Sequence, residues 1–390
     1  MMQFIFLNSL FLILYCYFGY PLLVYFFALI LRQRIDKSPI EPTVSIIISA
    51  YNEEDCIEDK IKNLLSLDYP ISKMEIIIGS DGSTDKTNDL VQPFSSAILS
   101  FYAYSQRRGK MATINDLVAK AKNEILVFTD ARQSFERNAI RELVANFHDK
   151  NIGCVSGELQ FKPLTVTGRT AEGINLYWKY EKFLRACESQ IHSMLGASGA
   201  IYAIRRSLFT PIPQNIILDD MFVPLKIIQK GYRAVFDPKA QAYDVAANDS
   251  QEEYRRKVRT IYGNYQIFSL FGNLFNPFNS PVAMQLFSHK FLRVIAPFLL
   301  ILMLIINFYL VNILFFYKIV MVSQVVFYLL AILGMMTKHT KYGLLRLVSK
   351  FCYIPYVFCL LNFSALIGFL RFVKHEQPVT WEKARREKQS

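Results

Sequence analysis

Cysteine does little to organise this chain. Its six cysteines are scattered over 390 residues and show neither a Cys-x-x-Cys pair nor the spacing of a zinc site. A disulfide framework and a structural zinc site are therefore not expected. We interpret these residues as small buried or membrane-embedded hydrophobic side chains in a reduced compartment. They are Cys16, Cys56, Cys154, Cys187, Cys352 and Cys359.

The chain also lacks a nucleic-acid recognition motif, an internal repeat and a low-complexity tract, although its formal net charge is +12. Much of the basic charge flanks long apolar segments. This is typical of membrane proteins whose basic loops face the cytoplasm and anionic lipid head groups. We therefore expect no nucleic acid as a partner, and we expect contact with membrane lipid.

Charged side chains are missing from four segments, each as long as the roughly 17–25 residues of a membrane-spanning helix. The four segments are residues 4–31, 294–317, 319–337 and 351–370. A secretory signal would carry a basic stretch before an apolar core of about 7–15 residues, whereas Arg32, Arg34 and Lys37 follow the first segment. This pattern predicts a retained anchor with an outside N-terminus and a cytoplasmic continuation.

These segments predict a multi-pass protein of the cell inner (plasma) membrane with a cytoplasmic catalytic domain. Its predicted units are an N-terminal transmembrane anchor (1–31), a cytosolic domain (32–266), interfacial amphipathic helices (267–290), C-terminal transmembrane helices (291–373) and a basic tail (374–390). Three C-terminal spans would place the basic residues of 338–350 inside but the basic tail outside. Either the last apolar segment is re-entrant or interfacial, or the charge rule is overridden here.

Short β-branched runs alternate with amphipathic helical patterns in the first half of the cytosolic domain. The strand-like runs are TVSIIIS (43–49), EIIIGS (75–80), AILSFYAY (97–104) and EILVFTD (124–130). Strands that are apolar on both faces and alternate with helices are typical of parallel sheets. The sequence therefore predicts an α/β fold with a mostly parallel central sheet.

Four acidic clusters stand in order between the membrane segments. They are SAYNEE (49–54), GSDGSTDKT (79–87), VFTDAR (127–132) and ILDDMF (217–222). The first three lie at or just after strand ends, where an open α/β sheet presents its ligand crevice. A carboxylate-lined crevice between membrane segments indicates an enzyme that handles a charged, metal-bound substrate at a bilayer surface.

Individual residues in these clusters have both a chemical and a structural interpretation. Asp81 presents a carboxylate at the sheet edge, and Tyr51 beside Glu53 has the shape to stack on a nucleobase. The alternative is an ordinary Asp-Gly turn in which Ser83 or Thr84 caps the next helix.

Two later carboxylate positions have the same ambiguity. Asp130 ends an apolar strand, where it is suited to a hard divalent ion on a diphosphate, although it can also cap a helix in competition with Ser134. Asp219 and Asp220 begin a helix. Adjacent acids raise one another's pKa, which suits a general base. The alternative is that the two carboxylates only interact favourably with the helix dipole.

Basic residues supply candidate phosphate contacts. Arg256 and Arg259 are spaced to share a helix face, and Lys110 lies in the segment RRGKMATIN. The alternative interpretation is a solvated or lipid-contacting basic patch.

The order of these motifs resembles the membrane-integrated, inverting family-2 glycosyltransferases, which include the synthases of cellulose, chitin, hyaluronan and poly-N-acetylglucosamine. The resemblance covers nearly the whole chain and implies a GT-A-like nucleotide-sugar domain. Its implied site residues are Tyr51, Glu53 and Asp81 for the uridine end of a UDP-sugar, Asp130 for Mg²⁺ or Mn²⁺, Ser198 and Gly199 for the acceptor, Asp220 as catalytic base, and Arg256 and Arg259 for departing UDP. To these we add Lys110 and Arg132 as candidate nucleotide-sugar contacts and Asp219 as a second catalytic candidate.

Two departures from the family pattern bear on function. Arg132 stands where the family usually has an acidic or neutral polar residue, so either Asp130 works alone or Arg132 pairs with phosphate. The processive members carry a Gln-x-x-Arg-Trp motif, whereas Thr260 follows Arg259 here. The missing tryptophan removes an acceptor platform and weakens the case for processive synthesis.

The sequence thus predicts an inverting glycosyltransferase that extends an exopolysaccharide from a UDP-sugar with β-linkages. Transfer of a single sugar to a lipid-linked acceptor is the alternative within the same chemistry. A non-catalytic subunit of a synthase is a third reading, and it is disfavoured because Asp81, Asp130 and Asp220 are all present. A synthase partner subunit or a homo-oligomer is compatible with each reading.

Overall fold

The computed structural model describes residues 1–162, 170–245, 250–337 and 343–376. Its centre is an eight-stranded sheet in the order β3-β2-β1-β4-β7-β6-β8-β5. The strands are β1 (Val44–Ala50), β2 (Met74–Asp81), β3 (Leu99–Tyr104), β4 (Ile125–Phe128), β5 (Ser134–Phe135), β6 (Ile152–Lys162), β7 (Tyr202–Arg205) and β8 (Arg233–Val245).

The first four strands are parallel to one another, as the alternating sequence predicts. Residue pairing joins β1 to both β2 and β4, and β2 to β3. The chain therefore leaves β1 toward one side and returns to β4 on the other. Loops after β1 and β4 diverge at this reversal of strand order, which is where open α/β sheets bind ligands.

The remaining strands make the sheet mixed. The strand β7 runs antiparallel to β4 and β6, and β5 runs antiparallel to β8, whereas β6 and β8 are parallel. The predicted α/β class is confirmed. Its parallel strands are concentrated in the half of the sheet formed by β1 to β4. The sequence pattern did not reveal the antiparallel strands because they are separated by long helices and irregular segments.

Helices cover both faces of the sheet and extend away from it at each end of the chain. They are α1 (Met2–Leu14), α2 (Tyr20–Ile30), α3 (Ile57–Leu65), α4 (Thr87–Val91), α5 (Lys110–Lys120), α6 (Ala139–Ala145), α7 (Thr170–Ile191), α8 (Asp219–Gln229), α9 (Ser250–Leu270), α10 (Ala283–Gln285), α11 (Leu292–Leu310), α12 (Phe315–Thr337) and α13 (Gly343–Lys374).

The burial of β1 on both faces explains the three consecutive isoleucines at its centre. Ile46 and Ile48 point into one core cluster with α3 and α6, whereas Ile47 points into a second cluster with α5 and α8. All three side chains are buried. Because successive side chains of a strand face opposite sides, a strand covered on both sides needs apolar residues at every position.

The N-terminal helix contains an irregular turn where its sequence predicts a kink. A π-helical turn, Tyr15–Gly19, separates α1 from α2, and Pro21 stands in the first turn of α2. Proline has no N–H to donate to the carbonyl four residues earlier, which here belongs to Tyr17. The hydroxyl of Tyr180 in α7 donates to that carbonyl at 3.2 Å, so the N-terminal helix is tied to α7 at the irregular turn.

Within the described ranges, four helices are long and apolar enough to cross a membrane, in agreement with the predicted anchor and three C-terminal spans. They are Met2–Ile30, Ala283–Leu310, Phe315–Thr337 and Phe351–Lys374. The basic tail beyond 376 lies outside the described residues. The predicted side of the membrane for that tail therefore stays a prediction.

The segment 267–290 is built differently from the separate interfacial helices that its composition favours. Its start completes α9, a 3₁₀ turn covers Gly272–Phe275, and its end leads into the helix that continues as α11. Ile267, Phe271 and Leu274 are buried against the sheet core. Contact of the segment with the membrane surface stays a prediction.

The close approach of α12 and α13 gives a test of the membrane-helix packing. A Cβ atom at Gly334 would lie 2.3 Å from the carbonyl oxygen of Cys352, so Gly334→Ala must push the two helices apart. Overpacking of this kind costs about 1–3 kcal/mol. We expect a lower unfolding temperature in detergent for Gly334→Ala than for the matched control Gly272→Ala, whose Cβ would meet nothing within 4 Å. Equal unfolding temperatures would contradict this packing.

Candidate active site

The first two acidic clusters lie together, as their positions after β1 and β2 predict. The backbone N–H of Glu53 donates to the hydroxyl of Thr87 at 2.8 Å, and that of Thr84 donates to Asn52 Oδ1 at 2.8 Å. Asn52 has a positive φ of 53°, a conformation that asparagine tolerates better than most residues. The two loops thus form one rigid edge beside Tyr51 and Glu53.

Asp81 holds the next loop rather than standing free in the crevice. Its two carboxylate oxygens accept the backbone N–H groups of Arg108 and Gly109, each at 2.8 Å. The guanidinium of Arg107, from the same loop, lies 3.7 Å from the ring centre of Tyr51. Asp81 and Tyr51 therefore share one pocket edge, where Arg107 covers the face of the tyrosine ring.

Lys110 links two acidic clusters that are far apart in sequence. Its ammonium group lies 3.0 Å from Asp130 Oδ1, after β4, and 3.5 Å from Asp219 Oδ2, at the start of α8. The three side chains form a compact charged group beside the crevice. The sequence identified each residue separately, and the fold places them together.

The charges of this group shift the pKa values of Asp130 and Lys110. Burial disfavours ionisation of Asp130, but Lys110, Arg132 and Lys60 outweigh that cost and hold the pKa of its carboxyl below the ordinary value. Burial opposes the charge of Lys110 too, yet Asp130 and Asp219 raise its pKa. Asp130 is therefore an ionised carboxylate, and Arg132 acts as part of its positive surroundings rather than as a ligand of the metal.

Asp219 and Asp220 are adjacent in sequence but have different environments. Asp219 is paired with Lys110, and its side chain is 8% exposed. Asp220 lines a cavity instead, and burial, followed by the negative charge of Asp219, raises its pKa to about 7. A carboxylate with a pKa near neutrality is suited to accept a proton in catalysis.

The predicted acceptor loop lies against Asp220. The backbone N–H of Ala197 donates to the carbonyl of Asp220 at 2.7 Å. A Cβ at Gly199 would lie 3.7 Å from Asp220 Oδ2, an ordinary van der Waals contact, so this position lies directly beside the carboxylate. The backbone N–H of Ser198 donates to Ser156 Oγ at 2.8 Å, which fixes the loop on β6.

The two arginines of α9 are divided between the cavity and the charged group. Arg256 lines the cavity next to Asp220. Burial lowers the pKa of Arg259, and the charge of Asp219 opposes this effect. The two arginines thus bring positive charge to the cavity wall and to the surroundings of Asp219.

A cavity of about 670 Å³ runs from Asp220 toward the membrane helices. Its wall is formed by parts of α7, α8, α9, α11 and α13 together with Tyr17 of the anchor. Lys110, Asp130 and Asp219 are absent from the part of its wall that the described residues form. Asp220 therefore stands at the boundary between the crevice and the cavity.

Three residues at the site were missed by the sequence reasoning. Lys60 is buried and donates to the hydroxyl of Thr129 at 2.9 Å, beside Asp130. Trp178 and Arg185 of α7 line the cavity. Neither α7 residue lies in a recognisable motif; the only available signal was an amphipathic helix with a tryptophan at its centre.

No complete metal centre is built by protein atoms alone in the part of the chain that the structure describes. There, no group of three or more His, Cys, Asp or Glu side chains is arranged to hold an ion. Asp130 offers one ionised carboxylate at the crevice. A divalent ion at this place would need further oxygen ligands from a substrate.

Comparison with known proteins gives the same assignment as the motif order. Residues 45–210 match the model of the family described as Glycosyl transferase family 2. A poly-β-1,6-N-acetyl-D-glucosamine synthase of Staphylococcus aureus (strain MSSA476) is 25% identical over 261 residues, which cover 62% of this chain and 61% of the relative. A protein named as a probable glycosyltransferase of Bacillus subtilis (strain 168) is 25% identical over 239 residues, which cover 58% and 56%. The chain thus spans less than two thirds of these relatives.

A solved structure resembles almost the whole chain. It is a mannosyltransferase of Pyrobaculum calidifontis in complex with GDP-mannose and Mn²⁺, with a TM-score of 0.70 and 20% identity, covering 97% of this chain and 100% of that one. The fold is therefore of the GT-A glycosyltransferase type, as the resemblance implied. The match to the Glycosyl transferase family 2 model is confined to residues 45–210, which contain most of the sheet.

The pKa of Asp220 predicts the pH dependence of turnover. A base is active in its deprotonated form, so kcat/KM should rise with pH below about 7 and level off above it. Lys110→Met should move the midpoint upward, since the positive charge of Lys110 lowers the pKa of Asp220. Initial rates of nucleotide release between about pH 5.5 and about pH 9 would measure both midpoints. A midpoint that stays in place or moves downward in Lys110→Met would refute this coupling.

Proposed function

We propose that this chain, whose family-2 glycosyltransferase domain lies between membrane helices, transfers a sugar from a UDP-sugar to a growing exopolysaccharide with inversion to a β-linkage. The observation that carries the proposal is the position of Asp220. Its carboxyl lies between a charged crevice and a cavity and has a pKa of about 7. Poly-β-1,6-N-acetyl-D-glucosamine synthases among the relatives support the polysaccharide product.

The nucleotide end of the donor is assigned to the edge formed by the first two acidic clusters. Tyr51 offers an aromatic face, and Glu53 lies beside it on the same rigid edge. Asp81 orders the loop that carries Arg107 and Arg108 through its two backbone contacts. The nucleobase would either displace the guanidinium of Arg107 from the Tyr51 ring or stack on it. A guanidinium is attracted to the face of any aromatic ring, so it can hold a base without reading its identity.

The diphosphate of the donor is assigned to the group around Lys110. Lys110 and Arg132 provide positive charge next to Asp130. A Mg²⁺ or Mn²⁺ ion fits this donor set because such ions bind through one or two carboxylates plus substrate phosphates. When bound, the ion would neutralise charge on the diphosphate leaving group. The Mn²⁺ in the mannosyltransferase complex supports the use of a divalent ion in this fold.

Asp220 is assigned as the general base. An acceptor hydroxyl gives its proton to the Asp220 carboxylate while its oxygen bonds to the anomeric carbon. The bond from that carbon to the diphosphate oxygen breaks, and nucleoside diphosphate leaves. Attack on the face opposite the leaving group inverts the configuration. Arg256 on the cavity wall and Arg259 near Asp219 would stabilise the departing charge.

The acceptor is assigned to the cavity side of Asp220. Ser198 and Gly199 form the loop against its carboxylate. The four apolar helices support a location in the inner (plasma) membrane with this domain in the cytoplasm. A partner subunit or a second copy of the chain is compatible with this arrangement.

A second candidate function is the transfer of one sugar to a lipid-linked acceptor. The cavity favours it, because its far wall consists of membrane-length helices rather than polar surface. Sizing of the products by mass spectrometry separates the two functions: a ladder of products indicates polymerisation, and a single added sugar indicates the second function.

Asp220→Asn tests the assigned base. Sugar transfer should fall by about 10²-fold or more, the usual contribution of a general base, while UDP binding stays within about twofold of the parent because Asp220 acts on the acceptor. The measurement is UDP release across a panel of UDP-sugars with Mg²⁺ or Mn²⁺, beside UDP binding by calorimetry. Asp89→Asn, an exposed change away from the crevice, is the control. A parallel collapse of UDP affinity would show that the role of Asp220 is misassigned.

Asp130→Ala tests the assigned ion ligand. UDP binding that depends on Mn²⁺ should weaken by about tenfold or more, because the ion loses its protein carboxylate. Binding titrations with Mn²⁺ and with a chelator would give the metal-dependent part directly. Asp89→Ala is the matched control. Unchanged metal-dependent binding in Asp130→Ala would move the ion to another site.

A further inference from the structure

The residues between β4 and β5 (129–133) form a turn rather than a helix or a strand. This turn carries Asp130 and Arg132, which are assigned to the diphosphate of the donor. A turn lacks the repeated backbone hydrogen bonds of a helix or a sheet, so its conformation depends on the side chains that bind it. The contacts that hold this turn therefore decide where its two charged side chains lie.

The helix α3 holds the turn at both ends. The ammonium group of Lys60 donates to Thr129 Oγ1 at 2.9 Å and to the carbonyl oxygen of Gln133 at 2.6 Å. One helical turn later, Asn63 exchanges two hydrogen bonds with the backbone of Phe135, at 2.9 Å and 2.7 Å. Lys60 thus bridges the first and last residues of the turn, and Asn63 fixes the strand that follows.

Lys60 is a cation at a place where an apolar side chain would be easier to bury. Its side chain is 2% exposed, and its ammonium group also lies 4.2 Å from the centre of the Phe135 ring. Burial lowers its pKa to about 7, although the charge of Asp130 opposes this effect. Removal of an ammonium group from water is costly unless it is hydrogen-bonded. The two oxygen atoms of the turn are the partners that offset this cost.

Arg132 lies between the two residues that Lys60 binds. Burial opposes its charge, but Asp130, Asp244 and Glu53 raise the pKa of its guanidinium above the ordinary value. Among the residues that the structure describes, no carboxylate lies within ion-pair distance of this guanidinium. The direction of the Arg132 side chain is therefore set by the conformation of the turn rather than by a paired carboxylate.

The start of α3 belongs to the edge that is assigned to the nucleoside. The backbone N–H groups of Cys56 and Ile57 donate to the carbonyl of Glu53 at 3.1 Å and 2.9 Å. Lys60 follows in the first turn of this nine-residue helix. One short helix therefore contacts both the nucleoside edge and the diphosphate turn.

We propose that Lys60 is a positioning residue for the diphosphate, because its bridge between Thr129 and Gln133 holds the turn in the conformation that directs Arg132 into the crevice. Lys60 does not touch the ligand, since its side chain is buried. The proposal rests on the assigned UDP-sugar site and deepens it. Recognition of the diphosphate, as distinct from the nucleoside, then depends on a residue of α3 that lies outside the acidic clusters.

Binding of UDP and of uridine to the full chain in detergent tests the proposal. A chelator is present, so that no divalent ion contributes and the ratio of the two dissociation constants measures the diphosphate contacts of the protein alone. Lys60→Met should raise the dissociation constant of UDP by about tenfold, the effect of losing one charge-assisted contact. That of uridine should stay within about twofold of the parent.

The matched control is Lys62→Met, because Lys62 is on the same helix and its side chain is 59% exposed. It should leave both dissociation constants unchanged. An equal loss of UDP and uridine affinity in Lys60→Met would indicate general damage to the fold and overturn the proposal. Unchanged UDP affinity in Lys60→Met would overturn it as well.

Thr129→Val covers the case in which Lys60→Met does not fold. It removes one of the two oxygen atoms that Lys60 binds and leaves every charge in place. UDP affinity should again fall by several-fold without a change in uridine affinity, since about 1.4 kcal/mol corresponds to tenfold. Equal UDP affinity in the parent and Thr129→Val would contradict the role of the bridge.

A double-mutant cycle with Arg132→Gln shows whether Lys60 acts through the turn. In the Arg132→Gln background, Lys60→Met should weaken UDP binding by less than about twofold further, because the turn no longer carries the guanidinium that it directs. The same tenfold loss in both backgrounds would show that Lys60 acts through its own charge, and would overturn the positioning role.

Failure of this inference is distinct from failure of the assigned function. A parent chain that binds UDP no more tightly than uridine would contradict the diphosphate site itself, and the role of Lys60 with it. A parent chain that prefers UDP, together with variants that keep the same preference, would overturn only the role of Lys60.

Discussion

The arrangement depends on an unequal division of charge around Lys110. Its ammonium group is shared by Asp130 and Asp219, which leaves Asp220 without that close positive partner. Two adjacent carboxylates therefore have different surroundings: Asp219 is paired with Lys110, and Asp220 has its pKa raised to about 7. Desolvation and a neighbouring negative charge both favour the protonated form. A single lysine thus gives the two adjacent aspartates different electrostatic surroundings.

The fold turns this charge division into two compartments. The crevice lies where strand order reverses between β1 and β4, and the cavity lies between α7 and the membrane helices. Asp220, in the first turn of α8, is at the boundary. The buried contacts of Glu188 with Tyr20 and His289 link the anchor, α7 and α11. These buried contacts tie two membrane-length helices to α7, which lines the cavity beside Asp220.

Much of the fold was predictable because its signals are local. Uninterrupted apolar strands such as β1, with Ile46 to Ile48, identify a sheet covered on both faces. Charge-free segments of sufficient length identify the membrane helices. The antiparallel half of the sheet was not predictable, since β7 has four residues and pairs with strands distant in sequence. The separate interfacial helices predicted for 267–290 correspond instead to a helix end, a turn and a helix start.

The sequence by itself determined which carboxylates and cations are present and that they follow strand ends between membrane segments. The family resemblance pointed to Asp220 as base, but the sequence could not show the different surroundings of Asp219 and Asp220, because these come from partners at other positions in the chain. Arg185 and Trp178 became part of the site only through the packing of α7 on the membrane helices. Only tertiary structure decides which charges are paired and which are desolvated, since both depend on distances between elements far apart in sequence.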